Sequence, residues 1–197
     1  MTVMRPGIHL NYQRKEYDPM ASAPGPRRSA QDIKAVMQQV AGRPVAGSLA
    51  FHLHRGVGNS FVLYTNYKHY HWQTQAPRFR DLHLVFGDFA LDVLGSLDEL
   101  ANRIRAISEE PPTHLLDAMD LARVVAAAPH PSLRGMIEEA VRNVQLMAEQ
   151  LREAITIAQA YDDQGTIDVI TSLIHVYERQ KWWLRDILAK REGLQLM

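Results

Sequence analysis

Histidine is the residue type that stands out in this sequence, because the 197-residue chain carries nine histidines and no cysteine. His71 and His83 flank Pro77, where the helical pattern breaks, so a chain reversal there would bring both imidazoles to one edge. Neutral imidazole is a good ligand for iron or zinc. Asp98 lies on nearly the same helix face as His83. From the residues alone two interpretations stay open: metal ligands, or hydrogen-bonded histidines at an interface beside a solvated aspartate.

Composition excludes several classes of protein. Without cysteine there is no disulfide scaffold, thiolate zinc site or cysteine nucleophile. Lysine plus arginine and aspartate plus glutamate each total 22, so no global basic field favours non-specific nucleic-acid binding. No window approaches the roughly 18 apolar residues of a membrane-spanning helix, and the N-terminus lacks the pattern of a signal peptide. These features predict a globular cytoplasmic protein with no membrane partner.

Apolar residues recur at intervals of three and four over most of the chain, which is the helical period. The pattern predicts four long helices and a shorter segment between the second and third, at residues 46–74, 79–107, 113–127, 133–161 and 167–191. Gly56 and Gly58 leave the middle of the first helix uncertain, since each glycine costs about 1 kcal/mol relative to alanine. No strand-like alternation is sustained, so we expect an all-α fold.

The segments that join the helices define the predicted architecture. Thr113, Ser132 and Thr166 are expected to begin helices. A linker of about 25 residues separates the second and third long helices, and such a crossover distinguishes the ferritin-like four-helix bundle from a plain up-down bundle. We therefore predict an irregular N-terminal arm at residues 1–40 and a ferritin-like bundle at 41–197.

The run LYTNYKHYHWQTQAPRFRDLHLVFGDFALDVLGSLDELANRIRAI resembles the Dps family of ferritin-like miniferritins. Its diagnostic pieces are the His71-Trp72 pair, a proline turn, the Leu82-His83 pair, and an Asp-x-x-Ala-x-Arg stretch that begins at Asp98. DDQGTIDVITSLIHVYERQKWWLRDIL is similar to the last turn and helix of that family. As a combination these motifs are specific, and none of them covers residues 1–40.

The resemblance implies an oxidation site between two subunits, with two histidines and a carboxylate from one subunit and an aspartate and a glutamate from its two-fold partner. By motif position His71 and His83 match the histidines, and Asp98 matches the partner aspartate. Gly87 and Asn102 stand where the family has its two other acids. The remaining groups supply one negative charge per site, so one ferrous ion is expected to bind better than two, and preference moves toward zinc or copper.

The resemblance also implies the function. We expect a homododecameric shell that binds ferrous iron, oxidises it with peroxide, stores the mineral and protects against oxidative stress, which makes the protein an oxidoreductase weakened at Gly87 and Asn102. Zinc or another divalent metal at the same site is the alternative to iron. The alternative function is a shell that oxidises iron poorly and serves in metal binding or DNA protection.

Two further features follow from the resemblance. Asp163 and Asp168, at the last turn, match positions that line an acidic three-fold pore in Dps shells, while helix capping by solvated aspartates is the other interpretation. Many Dps proteins bind DNA through basic tails, and avidity in a shell multiplies weak contacts. The basic residues near this N-terminus are offset by neighbouring acids, so support for DNA binding is weak; they are Arg14, Lys15, Arg27 and Arg28.

Overall fold

The computed structural model describes residues 44–75, 79–112, 114–129 and 132–189. Five helices occur in these ranges: α1 (Leu49–Gln73), α2 (Phe79–Ala106), α3 (Leu115–Met119), α4 (Leu133–Ala160) and α5 (Gln164–Leu188). These ranges contain no strand, so the predicted all-α fold is confirmed. None of the described helices is long and apolar enough to cross a membrane. The predicted arm at residues 1–40, together with Pro77 and Thr113, lies outside the described residues.

Side-chain caps set the helix starts. Ser48 accepts a hydrogen bond from the Phe51 amide at 3.1 Å, and Ser132 caps α4 as predicted, by accepting from the Gly135 amide at 3.2 Å. The predicted start of the last helix at Thr166 is wrong. Asp163 is the N-cap of α5, because its carboxylate accepts a hydrogen bond from the Thr166 amide. The helix therefore begins at Gln164, two residues before the predicted start.

Hydrogen bonds between neighbouring helices fix the topology. As residue numbers rise along α1, those of the hydrogen-bonded partners on α4 fall, so these two helices are antiparallel. The same holds for α2 and α5. The bonded pairs are Asn59–Gln150 and Tyr70–Glu139 for the first two helices, and Asp92–Arg179 and Arg103–Asp163 for the second two. Short connections make α1 antiparallel to α2 and α4 antiparallel to α5. It follows that α2 and α4 point the same way, which requires the long crossover between them. The predicted ferritin-like bundle is therefore confirmed.

Asparagine side chains on α1 hold the crossover linker. Asn59 Oδ1 accepts the backbone N–H groups of Arg123 and Val124 at 2.7 and 3.0 Å. Asn66 accepts the Ala127 N–H at 2.7 Å and donates to the Val125 carbonyl at 2.8 Å. These backbone N–H groups donate to side chains of α1 and not to helical carbonyl groups. The helix in the linker therefore covers only Leu115–Met119 of the predicted segment at 113–127.

The absent side chain of Gly58 lets α3 lie directly on α1. A Cβ atom at this position would stand 1.9 Å from the backbone oxygen of Ala118, which no real contact allows. Both Gly58 and Ala118 are buried. The glycine that weakens the helical pattern in the sequence is thus required where the crossover packs on the bundle.

Candidate metal site

The structure brings His71 and His83 into direct contact. Their ring centroids lie 3.6 Å apart and the ring planes are 24° from parallel. His71 Nδ1 lies 2.6 Å from the carbonyl oxygen of His83, and His83 Nδ1 lies 2.9 Å from the carbonyl oxygen of His71. The two histidines therefore hold each other across the turn between α1 and α2, as the sequence predicts.

These reciprocal bonds decide which ring nitrogens are free. A carbonyl oxygen only accepts hydrogen bonds, so each Nδ1 must carry the proton and donate. In the neutral rings the lone pair then resides on Nε2, which is the atom that can bind a metal. Metal-ligating histidines nearly always donate their other ring N–H to a carbonyl or carboxylate, which fixes the tautomer and the ring orientation. His71 and His83 both have this arrangement.

The ends of two helices position the pair. His71 is in the last turn of α1, where carbonyl groups lack partners within the helix, so the His83 side chain satisfies one of them. His83 is in the second turn of α2, and the Phe79 ring stacks on it with centroids 4.8 Å apart. Both histidines are half-buried, so part of each residue remains accessible.

Gly87 lies against the histidine pair. A Cβ atom at residue 87 would be 3.3 Å from His71 Nδ1 and 3.4 Å from Cε1 of the same ring. An acidic side chain at this position would therefore stand beside the imidazole of His71. Asp88 is exposed and lies about 100° further around α2, so it does not occupy the same place.

Asp98 and Asn102 form a separate exposed pair one turn apart on α2. The Asn102 amide donates to Asp98 Oδ2 at 3.1 Å. Within the part of the chain that the structure describes, no three or more histidine, aspartate or glutamate side chains are grouped so as to hold a metal ion. A metal ion at the histidine pair would therefore need further ligands from outside the described part of one chain.

Three other histidines, His54, His69 and His175, differ in their surroundings. Burial lowers the pKa of His54, which also interacts with the backbone of Glu110. His54 precedes His71 by about 25 Å along the helix axis, at 1.5 Å per residue. The His69 ring lies edge-on to Tyr70, and His175 is exposed on α5. The structure does not group any of these three rings with the pair.

An exposed apolar stripe on α2 leads to Asp98. Leu84 and Leu91 are 51% and 66% exposed, and Asp98 follows at the same interval of seven residues, which keeps all three on one helix face. Trp72, beside the histidine pair, is 68% exposed, with Lys68 Nζ 5.6 Å from its ring centroid. Large exposed apolar side chains next to candidate ligands are typical of a surface that another protein covers.

The turn between α4 and α5 places the two predicted pore residues differently. The Arg103 guanidinium donates to Asp163 Oδ1 at 2.6 Å and to the Thr166 hydroxyl at 2.7 Å. Burial alone would raise the pKa of Asp163, but the hydrogen bonds from Thr166 and Arg103 lower it below its ordinary value. Asp168 is exposed and accepts a bond from the Gln164 amide at 2.7 Å. Of these two carboxylates, Asp163 forms an ion pair with an arginine and, among the described residues, Asp168 does not.

Asp168→Asn is the more specific test of an acidic pore, because Asp163→Asn would also remove the ion pair with Arg103. We expect the single Asp168 variant to assemble normally and to take up ferrous iron more slowly at low salt, since carboxylates concentrate cations through their local field. Uptake kinetics with 10-fold changes in salt would check this, with Glu149→Gln as the control, because Glu149 is an exposed acid on α4 that also accepts a hydrogen bond from a glutamine four residues earlier. Equal uptake in native protein and the Asp168 variant would remove this residue from any pore.

Comparison with known proteins agrees with the fold. The sequence profile of the ferritin-like domain matches residues 51–194, so the chain belongs to the ferritin-like proteins. Within that class it is similar to Dps from Thermosynechococcus elongatus, with 35% identity over 75% of this chain and 94% of that one, and a TM-score of 0.73. Dps from Staphylococcus aureus gives 27% identity, coverage of 73% and 96%, and a TM-score of 0.70. The chain is a member of the Dps family.

A relative known by sequence carries a functional name. DNA protection during starvation protein 2 of Bacillus anthracis is 29% identical over 136 residues, which are 69% of this chain and 93% of the relative. The ferritin-like profile match, at residues 51–194, lies wholly within the predicted bundle. The match over the bundle therefore establishes the family. Which residues form a site is inferred from the geometry of this chain.

Proposed function

We propose that this protein is a cytoplasmic Dps-type miniferritin that binds ferrous iron between two subunits. His71 and His83 of one subunit supply Nε2 ligands, and Asp98 of the partner subunit supplies the carboxylate. The observation that carries the proposal is the reciprocal Nδ1-to-carbonyl pairing, which orients both imidazoles as metal-binding histidines are oriented elsewhere. Dps from Vibrio cholerae, 27% identical, is described as a member of a superfamily of ferritin-like diiron-carboxylate proteins.

The donor set determines how the site handles iron. Two neutral imidazoles and one carboxylate offset a single charge, which suits one ferrous ion and disfavours a second ion nearby. Complete reduction of hydrogen peroxide takes two electrons, and therefore two ferrous ions, with two hydroxides as the reduced product. A site that holds one ion at a time carries out this oxidation slowly. The ferric product is then stored inside the shell.

Gly87 and Asn102 favour a second candidate function. With no acid at either position, the same shell would bind iron, zinc or another divalent metal without oxidising iron efficiently, and would protect DNA by covering it or by removing metal. The two candidates differ in one measurable quantity, the rate of peroxide-driven ferrous oxidation at the site above that of free iron.

The ligand set is completed only by assembly, so we expect a closed shell, a dodecamer by family resemblance. Leu91→Arg would place a charge in the exposed stripe of α2 and is expected to stop assembly, since an unpaired buried charge opposes association. Light scattering at micromolar concentration measures the mass. Ser172→Arg, at an exposed position on α5, is the control for added charge. A native protein that is a monomer or simple dimer at that concentration would contradict the intersubunit site.

Restoring both acids, by Gly87→Asp with Asn102→Glu, is expected to increase the rate of ferrous oxidation. Added negative charge strengthens ferrous binding and stabilises the ferric product. Because a Cβ at residue 87 would be 3.3 Å from His71 Nδ1, that ring must move by a few tenths of an ångström. Gly87→Ala with Asn102→Gln is the matched control for this movement. If the native protein oxidises iron as fast as the acidic double variant, the two carboxylates are dispensable.

A further inference from the structure

A continuous series of aromatic rings runs from Tyr70, the residue that precedes His71, to the surface of α5. We call these five residues the aromatic chain: Tyr70, Tyr67, Phe89, Trp183 and Trp182. Successive ring centroids are 6.3, 5.5, 5.9 and 6.4 Å apart. Tyr70 directly precedes His71 in α1, and the two tryptophans at the other end are 40% and 60% exposed. The aromatic chain therefore runs through the core from the residue next to His71 to the surface of this subunit.

The first ring has a proton acceptor. The Tyr70 hydroxyl donates to Glu139 Oε2 at 2.5 Å, and the Ala128 amide donates to the other oxygen at 3.4 Å. Glu139 is 8% exposed and receives donors on both oxygens, which is the pattern of an ionised carboxylate. The hydroxyl of Tyr67, by contrast, donates to the neutral amide oxygen of Gln180 at 2.9 Å. A phenol loses an electron readily only if its proton can leave. Of the two tyrosines in the aromatic chain, Tyr70 is therefore the one that is suited to oxidation.

We propose that the aromatic chain carries oxidising equivalents from the metal site to Trp183 and Trp182, with Tyr70 and Glu139 as its entry. This inference rests on the proposed iron chemistry. A single bound ferrous ion gives hydrogen peroxide one electron, which breaks the O–O bond and leaves hydroxide and a hydroxyl radical. A site limited to one ion by its donor set needs a route that removes this radical.

The transfer balances in two steps. First the hydroxyl radical takes an electron from Tyr70 and becomes hydroxide, while the phenolic proton moves to Glu139. Trp183 then returns an electron to Tyr70 through Phe89 and Tyr67, Glu139 gives the proton back, and the indole N–H proton of Trp183 passes to water. The net change is one water formed from hydroxide and that proton, and one neutral indolyl radical near the surface.

Freeze-quench electron paramagnetic resonance tests the route in the assembled protein loaded with ferrous iron and mixed with peroxide. Ring-deuterated tryptophan identifies the indolyl signal. Phe89→Leu removes the ring between Tyr67 and Trp183, and we expect it to abolish the indolyl signal while a tyrosyl signal persists. Glu139→Gln is expected to abolish both signals. Phe61→Leu is the matched control, a partly buried phenylalanine against the same core and outside the aromatic chain.

Ferrous oxidation is followed in the same samples by ferric absorbance, with shell size checked for each variant. Oxidation that depends on His83, together with an indolyl signal that Phe89→Leu leaves unchanged or that Phe61→Leu lowers equally, would overturn the route and leave the proposed function intact. If Glu139→Gln does not assemble, Phe89→Leu and Trp183→Phe decide alone. Oxidation that does not depend on His83 would overturn both, since the radical would then not be formed at the histidine pair.

Discussion

Replacing His83 by alanine is expected to abolish ferrous binding at the site and any peroxide-driven oxidation above that of free iron. The substitution removes one of the two proposed imidazole ligands, and also the Nδ1 hydrogen bond to the His71 carbonyl. Loss of a partner that only orients a ligand already costs about 10–100-fold in metal affinity, so loss of the ligand should cost more. Anaerobic titration calorimetry and stopped-flow absorbance measure the two effects.

His114→Ala is the matched control, because His114 is exposed on the crossover linker. We expect it to bind and oxidise iron as the native protein does. If His83→Ala retained native affinity and rate, the ligand would be another residue, with His175 or Asp88 the first to test. His83→Gln, which keeps a hydrogen-bonding side chain, should fail as His83→Ala does if the imidazole itself binds the metal.

Gly58→Ala is expected to destabilise the fold by more than the usual cost of overpacking, which is about 1–3 kcal/mol. The added Cβ would meet the backbone oxygen of Ala118 at 1.9 Å, and a backbone atom cannot rotate away, so α3 would have to lift from α1. Chemical denaturation at fixed protein concentration measures the free energy of unfolding, since assembly contributes to it.

Gly56→Ala is the control for this substitution. Its Cβ would lie 3.1 Å from Cδ1 of Leu100, the end of a flexible side chain that can move. We therefore expect a much smaller loss of stability, partly offset by alanine's higher helix propensity of about 1 kcal/mol. Equal stability of the Gly58 and Gly56 variants would show that α3 does not depend on close packing at residue 58.

Periodicity and capping residues are local signals, and they account for what the sequence predicts correctly. The four long helices follow from apolar spacing, and the start of α4 follows from Ser132. The contact of His71 with His83 follows from their positions on either side of a chain reversal. Helix capping, one of the two interpretations given for Asp163, is confirmed, since its side chain accepts a hydrogen bond from the Thr166 amide three residues later.

Long-range contacts could not be predicted in this way. Helix propensity alone predicts that Gly58 destabilises α1. Its stabilising role appears only in the folded chain, where Ala118, 60 residues later, packs against it. Asn59 and Asn66 lie seven residues apart on a buried face of α1, and this spacing indicates that the two side chains form buried hydrogen bonds. Their partners in the linker could not be identified from the sequence, because the fold brings them together. The pairing of Arg103 with Asp163 likewise joins residues far apart in sequence.

Anomalous diffraction at the iron absorption edge, from crystals grown anaerobically with ferrous iron, tests the central claim most directly. The account predicts one iron peak at each two-fold interface, coordinated by Nε2 of His71 and His83 and by Asp98 of the partner subunit. Data at the zinc edge exclude a contaminating metal. An iron-free histidine pair, or iron bound only by ligands of a single chain, would contradict an intersubunit iron site.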